Sequence, residues 1–530
     1  LEKTRKRNLT GSAIIVMSSI VFSRITGYFR VMLIPNKLTE KVVADSYIMA
    51  FKVTDLMYNM LVGGAIAAAL IPVLTGYIEK DQEEEGWKAV GTFINVVFLA
   101  MLTLCILGII FAPQIVPFIA RGFDEEGTKL TVSLTRILFP SVSFIMLAGL
   151  TNGVLNSYHR FAASAYGPVL YNLGGIFSLA FLSRFGVKVV AFGVMCSSLI
   201  YFFFQLSFAW KNLKYYRFKF YLRHPGFRNL FKLAIPSLIS SSIVQVNVII
   251  SAMFVTLFRA PGSVNAFNMA DTIWQMPYGI FAQGIGIAIL PTLSARFAVG
   301  DLDDYKSILA KGLKSILLLS VPSAVGLIVL REPIISTIFQ WSKGFDPGFV
   351  PLAGNILMFF SLALLTQSIV ATMNRAFYAI NDTRSPLYVG ACTIFVNIGL
   401  SYIFKEFTNL GVGGMALSYS LTSTLNAVLL LSILNKKVKG VYLDNFLKFL
   451  LKIIPAAAAM GIVLFFTSQA VDFDASSKIV QISYLALEVV IGASVYFLIS
   501  IILKVEEAFY ICNAILEKVR SFNRKIINKF

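Results

Sequence analysis

A few ionisable side chains stand inside otherwise apolar stretches. Arg24 and Arg30 fall in Ser23-Arg24-Ile25-Thr26-Gly27-Tyr28-Phe29-Arg30, the second half of the first long apolar run. On a helix, residues six apart lie on broadly similar faces, about 9 Å apart along the axis. Two guanidinium forks at that spacing could grip a diphosphate. The plainer alternative has Arg30 reaching out to lipid headgroups and Arg24 pairing with a carboxylate such as Asp45. The second run carries Asp45, Lys52 and Asp55. Lys52 and Asp55, at i,i+3, could neutralise each other or meet a substrate. Asp271, in the eighth run, has no obvious local partner and is a candidate for proton or monovalent-cation work. Gly63-Gly64, Gly284 and Gly286 suggest close helix contacts or hinges, with packing the default.

Other chemistry is thin. There are two histidines, His159 and His224, far too few for a catalytic or metal cluster. Cys105, Cys196, Cys392 and Cys512 are widely separated, with neither metal nor disulfide spacing. No Walker A motif occurs, so ATP use is not expected. The external loops offer Asp124, Glu125, Glu126 and Asp346 without a base partner, so no catalytic residue is assigned and no metal or organic cofactor is expected.

The elements that position these residues follow from composition. Of 530 residues, 57% are hydrophobic and 14% charged, against about 25% charged in soluble domains. Mean hydropathy is +0.76. Continuous apolar runs of about 20 residues recur along the chain, each enough to cross a bilayer. Because hydrocarbon leaves backbone groups no outside partner, the runs must be helices or barrel strands. Their continuity selects helices. About fourteen spans are expected, beginning near Gly11, Asp45, Trp87, Leu130, Ala162, Val187, Lys232, Val264, Ile308, Val350, Ser385, Gly411, Leu447 and Ile482. The first resembles a signal peptide but carries Arg24 and lacks a convincing cleavage site, so it reads as a retained span. Two short apolar segments, Pro113–Ala120 and Pro333–Phe339, read as interfacial helices.

Charge sets the orientation. With the N-terminus inside, cytoplasmic segments hold about 31 of the 46 Lys and Arg. An even span count then puts both termini in the cytoplasm. The net charge of +19 would suggest nucleic acid in a soluble protein. Here the densest cluster, Lys211 to Lys232 with Phe and Tyr interleaved, reads as a cytoplasmic loop on anionic phospholipids. The tail, with Lys518, Arg520, Arg524, Lys525 and Lys529, reads the same way.

An internal repeat is visible. Ala69-Leu70-Ile71-Pro72-Val73-Leu74 matches Ala288-Ile289-Leu290-Pro291-Thr292-Leu293. Pro168 matches Pro386, and Gly186-Val187 matches Gly411-Val412, all at an offset of roughly 220 residues. A duplicated six-span unit is implied, its copies related by an axis along the membrane normal, with substrate between them near mid-membrane. The expected domains are an N-lobe of spans one to six (1–222), a C-lobe of spans seven to twelve (223–440), and spans thirteen and fourteen with a basic amphipathic tail (441–530). The fold class is all-α and polytopic: two pseudo-symmetric six-helix lobes plus two C-terminal helices.

Four ordered motifs resemble the MurJ (MviN) family of the MOP exporter superfamily. They are Ser23-Arg24-x-x-Gly27-x-x-Arg30; Ala44-Asp45 with Ala50-Phe51-Lys52; Pro277-Tyr278-Gly279-Ile280-Phe281 running on to Leu290-Pro291-Thr292-Leu293-Ser294; and Arg375-Ala376-Phe377-Tyr378-Ala379-Ile380-Asn381-Asp382-Thr383-Arg384-Ser385-Pro386. The resemblance covers essentially the whole chain. It implies a flippase, not an enzyme, that carries lipid II, the undecaprenyl-diphosphate-linked peptidoglycan precursor, from inner to outer leaflet by alternating access. The setting would be the bacterial inner membrane and cell-wall biogenesis, and the protein would act as a monomer, alone or beside the wall-synthesis machinery. The resemblance also implies a V-shaped cationic cavity between lobes and a groove for the polyprenyl tail on the two extra helices. Arg24, Arg30, Asp45, Lys52 and Asp55 form the expected diphosphate and cavity set. Asp271, Asn397, Arg375 and Arg384 are candidates for ion or gating work. Tyr58 and Thr272 stand where the family usually has arginines, and Ser251 where aspartate is common, so the arginines of the first span remain. Another polyprenyl-diphosphate-linked oligosaccharide, or a drug or cation antiport cycle, are the alternative readings. The energy source is expected to be membrane potential, with sodium coupling weak or absent, because Ser251 and Asn397 offer only neutral oxygens.

Overall fold

A computed structural model describes residues 2–61, 69–440, 444–469 and 477–510, and its regular structure there is helical throughout, with no strand among the described residues. Gly63-Gly64, Cys512 and the basic tail from Lys518 lie outside them. The helices are α1 (Glu2–Lys37), α2 (Lys41–Leu61), α3 (Ile71–Ile78), α4 (Glu83–Ile119), α5 (Glu125–Ser157), α6 (Phe161–Phe177) and α7 (Val187–Ala209). They continue with α8 (Pro225–Thr256), α9 (Ser263–Pro277), α10 (Gly284–Ala298), α11 (Leu302–Val329), α12 (Arg331–Phe339) and α13 (Phe349–Ala379). The last four are α14 (Arg384–Phe407), α15 (Gly413–Lys437), α16 (Asp444–Gln469) and α17 (Lys478–Ile502). Single π turns follow α6 (Ser178–Leu182) and join α9 to α10 (Tyr278–Gln283).

Among the described residues, 11 helical segments are long and apolar enough to cross a membrane. The helices α1, α2 and α8 stand where the three other expected spans begin, and α2 carries Asp45, Lys52 and Asp55 along its length. The long pair α4 and α5 has 37 and 33 residues, about 55 and 50 Å, so both outreach a bilayer core of about 30 Å.

One expected element is corrected. Residues 113–120 are not a separate interfacial helix: α4 runs through Pro113 and Pro117 to Ile119. Ala112, Val116 and Ile119 are buried, and the last two pack with Met49, Val53 and Ile249. That packing holds the helical path although each proline removes a ladder bond. The second short segment is separate, as α12.

Local sequence explains several boundaries. Asp124 caps α5, accepting from Gly127 N at 2.8 Å, with Glu125 and Glu126 in the first turn facing the positive end of the helix dipole. The repeated Gly-Val pairs have a backbone reason: Gly186 (φ 99°) and Gly411 (φ 57°) both take left-handed geometry just before α7 and α15. A Cβ there would be strained.

The chain divides into two compact units, residues 1–268 with 342–346, and residues 269–341 with 347–530. In the first, α5 packs on α2, α4 and α7, while α1 packs on α6 and α8 on α2 and α4. Its core gathers Trp87, Phe93, Met146 and Leu150. In the second, α13 packs on α11 and α15, and α16 on α11 and α17. Between apolar helices in lipid, close packing rather than water exclusion is the driving force, and small residues permit it. Ala456, Ala457 and Gly461 serve that role on α16: a Cβ at Gly461 would stand 2.8 Å from Val325 Cγ1 of α11.

Candidate functional site

In the first unit, α1, α3, α5 and α6 enclose a pocket of about 880 Å³. Arg24, Ser19 and Ser23 line it from α1, Asn152 and Asn156 from α5, and His159 from the following turn. Its α1 wall is pinned by α6, since Asn172 Nδ2 donates to the Ser23 carbonyl at 3.0 Å. Arg24 itself is exposed, with Tyr28 one turn on as its hydrogen-bonding neighbour. No carboxylate forms an ion pair with it among the described residues. Asp45 is not its partner. Both Asp45 oxygens are held by backbone donors, Gly262 N at 2.7 Å and Asn265 N at 2.8 Å, so this carboxylate caps the start of α9.

Arg30 is placed quite differently. Its guanidinium lies 5.4 Å from the Tyr171 ring and 5.8 Å from the Phe51 ring, with Nη1 buried and lacking a hydrogen-bond acceptor. A Cβ on Gly175 would come within 2.7 Å of Arg30 Cδ. The two arginines therefore do not share one surface: Arg24 opens to a pocket, and Arg30 is clamped between aromatic rings of α2 and α6. Asp55 lies in the field of both Lys52 and Arg30. Tyr58 packs beside the core of this unit and neighbours Tyr201.

The second unit holds the other candidates. Asp271 accepts from Trp274 Nε1 at 3.0 Å. Trp274 stacks on Phe360 and meets Tyr419, which accepts from Gln367 Nε2 at 2.9 Å. Asn397, fully buried, sits in a neutral network: Ser418 Oγ donates to its Oδ1 at 2.8 Å, and Ser401 Oγ reaches Ser418 Oγ at 3.0 Å. Arg375 lies beside Gly286 and near Tyr278. Gly284 has open space where a Cβ would go, and Gly286 meets only ordinary contact at 3.6 Å, so close packing does not explain either.

Arg384 opens α14, and the motif around it is a structural joint. Asp382 accepts from Arg384 N at 3.1 Å, from Ser385 N at 3.0 Å and from Ser385 Oγ, and pairs with Lys437 on α15. Despite partial burial, which raises it, the hydrogen bonds from Lys437 and Ser385 hold its carboxyl down at about 2.

Sequence reasoning missed Asn152, Asn156 and His159. Asn152 and Asn156, at i and i+4, share one face of the fourth span, while His159 lies past the end of α5 in a turn with φ 58°. No group of three or more His, Cys, Asp or Glu able to hold a metal occurs among the described residues.

The family model described as Lipid II flippase MurJ matches residues 35–484. The Lipid II flippase MurJ of Burkholderia cenocepacia is 27% identical over 508 residues, 92% of this chain and 96% of that relative. The Probable lipid II flippase MurJ of Rhizobium tropici is 28% identical over 508 residues, 94% of each chain. A solved structure titled Lipid II flippase MurJ, inward closed conformation, aligns with a TM-score of 0.76 at 26% identity, covering 92% of this chain and 98% of that one. An inward-facing multidrug resistance MATE family transporter of the MOP superfamily aligns at 0.69 with 14% identity over 81% of this chain and 98% of that one, a likeness of fold alone.

Proposed function

The chain belongs to the lipid II flippase MurJ family, and from that premise we propose that it carries lipid II from the inner to the outer leaflet of the bacterial inner membrane by alternating access. It is a transporter, not an enzyme. The observation that carries the site assignment is Arg24: an exposed guanidinium with no ion pair among the described residues, on the wall of a pocket of the first unit that also carries Glu79 and several neutral polar side chains. A guanidinium so placed can take a diphosphate bidentately. Asn152, Asn156 and His159 add further hydrogen-bonding groups suited to the sugar end of such a substrate.

The basic loop supports a second partner, anionic phospholipids of the cytoplasmic leaflet. Tyr216 OH donates to Asn95 Oδ1 at 2.7 Å, Asn95 Nδ2 to Lys219 O at 2.9 Å and Tyr221 N to Thr92 Oγ1 at 3.0 Å, so α4 fixes the loop. Phe218, Phe220 and Leu222 are left exposed among Arg217, Lys219 and Arg223, the mix that suits a headgroup layer. This reading keeps both termini cytoplasmic and the protein monomeric.

Membrane potential is the proposed energy source, at about 2.3 kcal/mol per charge per 100 mV. A diphosphate bound at Arg24 alters the charge that moves, and an inside-negative potential then favours the inward return of the empty cationic carrier. The neutral network at Asn397 supports weak or absent sodium coupling. Flipping of labelled lipid II, and of other polyprenyl-diphosphate sugars, in vesicles with potential and sodium varied separately tests this. The expected result is lipid II transport that falls as the potential is collapsed. Preference for another sugar overturns the substrate; transport that ignores the potential but stops without sodium overturns the coupling.

A further inference from the structure

Arg136 is an arginine in the middle of a membrane helix that does not face the candidate site. It lies on α5, is exposed, and donates from Nε to the Ile109 carbonyl of α4 at 3.0 Å. No carboxylate pairs with it among the described residues. The exposed apolar residues of α4, from Leu99 and Ile106 through Ile110 and Phe111 to Phe118, mark the lipid belt. Ile109 is nine residues before Phe118, about 14 Å down the helix. A lone cation held at that depth is costly unless an anion reaches it.

A groove of about 680 Å³ leads to it between α4 and α5 from the side of the 120–124 loop. Lys129, Ser133 and Arg136 line one face at helical spacing, with Pro113 opposite. Side chains lean toward the N-terminus of their helix, here toward the groove mouth. The carboxylates at the mouth are already committed. Asp124 caps α5, and Glu125 pairs with Lys129. The unmatched charge is therefore the guanidinium at the floor, its terminal nitrogens left for an acceptor once Nε is pinned.

We propose that this groove holds the phosphodiester of a membrane phospholipid, with its acyl chains lying along the exposed apolar face of α4. An acyl-anchored phosphate is the anion that can reach such a depth from the bilayer, and the guanidinium fork matches its oxygens. The lipid comes from the leaflet on the side of the 120–124 loop, where the groove opens. That the leaflet is the outer one rests on the orientation proposed above; the binding does not.

Native mass spectrometry of the full chain released from membranes tests it, scored with thermal unfolding on adding phosphatidylglycerol. The wild type is expected to retain one phospholipid more than Arg136→Gln, and phosphatidylglycerol should raise its unfolding midpoint by a few degrees but not that of the variant. Diacylglycerol with the same chains should do neither. Arg136→Lys, which keeps a charge without the fork, should retain lipid partially, and with the diacylglycerol control it decides the matter if Arg136→Gln does not accumulate. Equal retention in wild type and Arg136→Gln overturns the proposal. So does displacement of the lipid by millimolar inorganic phosphate, or preferential retention of polyprenyl phosphate. None of these readouts depends on flipping, so failure here and failure of the transport reading are separable.

Discussion

In the first unit, α1 and α2 put Arg24, Arg30, Lys52 and Asp55 within the membrane-spanning length of the chain. In the second, α14 and α15 put Asn397, Ser401 and Ser418 there, hydrogen-bonded to one another. A neutral network that satisfies itself asks nothing of a ligand. A guanidinium on a pocket wall with no ion pair among the described residues does. On the proposed function, the difference puts the anion-binding charge in the first unit, and leaves Asp271 and Arg375 as the charged candidates of the second. Even inside the first unit the charges are unlike: Arg30 is enclosed by rings, while Arg24 is free to meet an anion.

The largest test of that contrast is Arg24→Ala. Charged hydrogen bonds contribute about 1.5–3 kcal/mol, so lipid II transport should fall at least roughly tenfold, up to loss. Because Arg24 is exposed and not ion-paired, the level of folded protein in the membrane should hold. Vesicle flipping with immunodetection of the variant measures both, and normal transport would break the comparison.

A smaller effect is expected in the second unit. Ser418→Ala removes the hydroxyl that donates to Asn397 Oδ1 at 2.8 Å. Helix–helix hydrogen bonds in membranes average about 0.6 kcal/mol, with a maximum near 1.7. A fall of a few degrees in the unfolding midpoint is expected, with transport within twofold of wild type. A tenfold transport loss at unchanged stability would move recognition into this unit too.

The smallest effect concerns the joint at Asp382. Its depressed carboxyl stabilises the fold above the unfolded value of about 4, and the contribution fades as pH falls through about 2. Lys437 is 44% exposed, so solvent screening limits the pair to about 1 kcal/mol or less. Asp382→Asn should therefore lower stability slightly at pH 7, and the gap to wild type should narrow below pH 4. A gap that widens in acid would show that the pair is not the source.

Helix positions were largely legible in the sequence because long apolar runs leave little choice of structure in lipid. Val187 opens α7 as expected, and α14 opens at Arg384, one residue before the expected Ser385. The continuation of α4 was not legible, because Pro113 and Pro117 read as breakers while the packing that overrides them comes from residues far away in sequence. Arg24 was legible because a charge in an apolar run stands out. Asn152 and Asn156 did not, because neutral polar residues in membrane helices commonly serve packing. The separate fates of Arg24 and Arg30 were hidden too: similar helical faces say nothing of Tyr171, which arrives from another helix.

The π turn at Tyr278–Gln283 has a consequence for how this region tolerates change. Such a turn holds one residue more than the α-helical period has room for. The wider turn absorbs that extra residue, so the helix beyond it keeps the phase that an uninterrupted α-helix one residue shorter would have. That phase puts Leu293 of α10 fully inside, against Tyr305 and Met373. Deleting one residue of the turn would restore a regular α-helix and keep Leu293 in its core, whereas deleting one residue of α10 before it would rotate Leu293 by about 100°. Gly284, just beyond the turn, has room for a side chain. The turn is thus the place along this helix pair where a change of length is absorbed, and the regular helix on either side is where it is not.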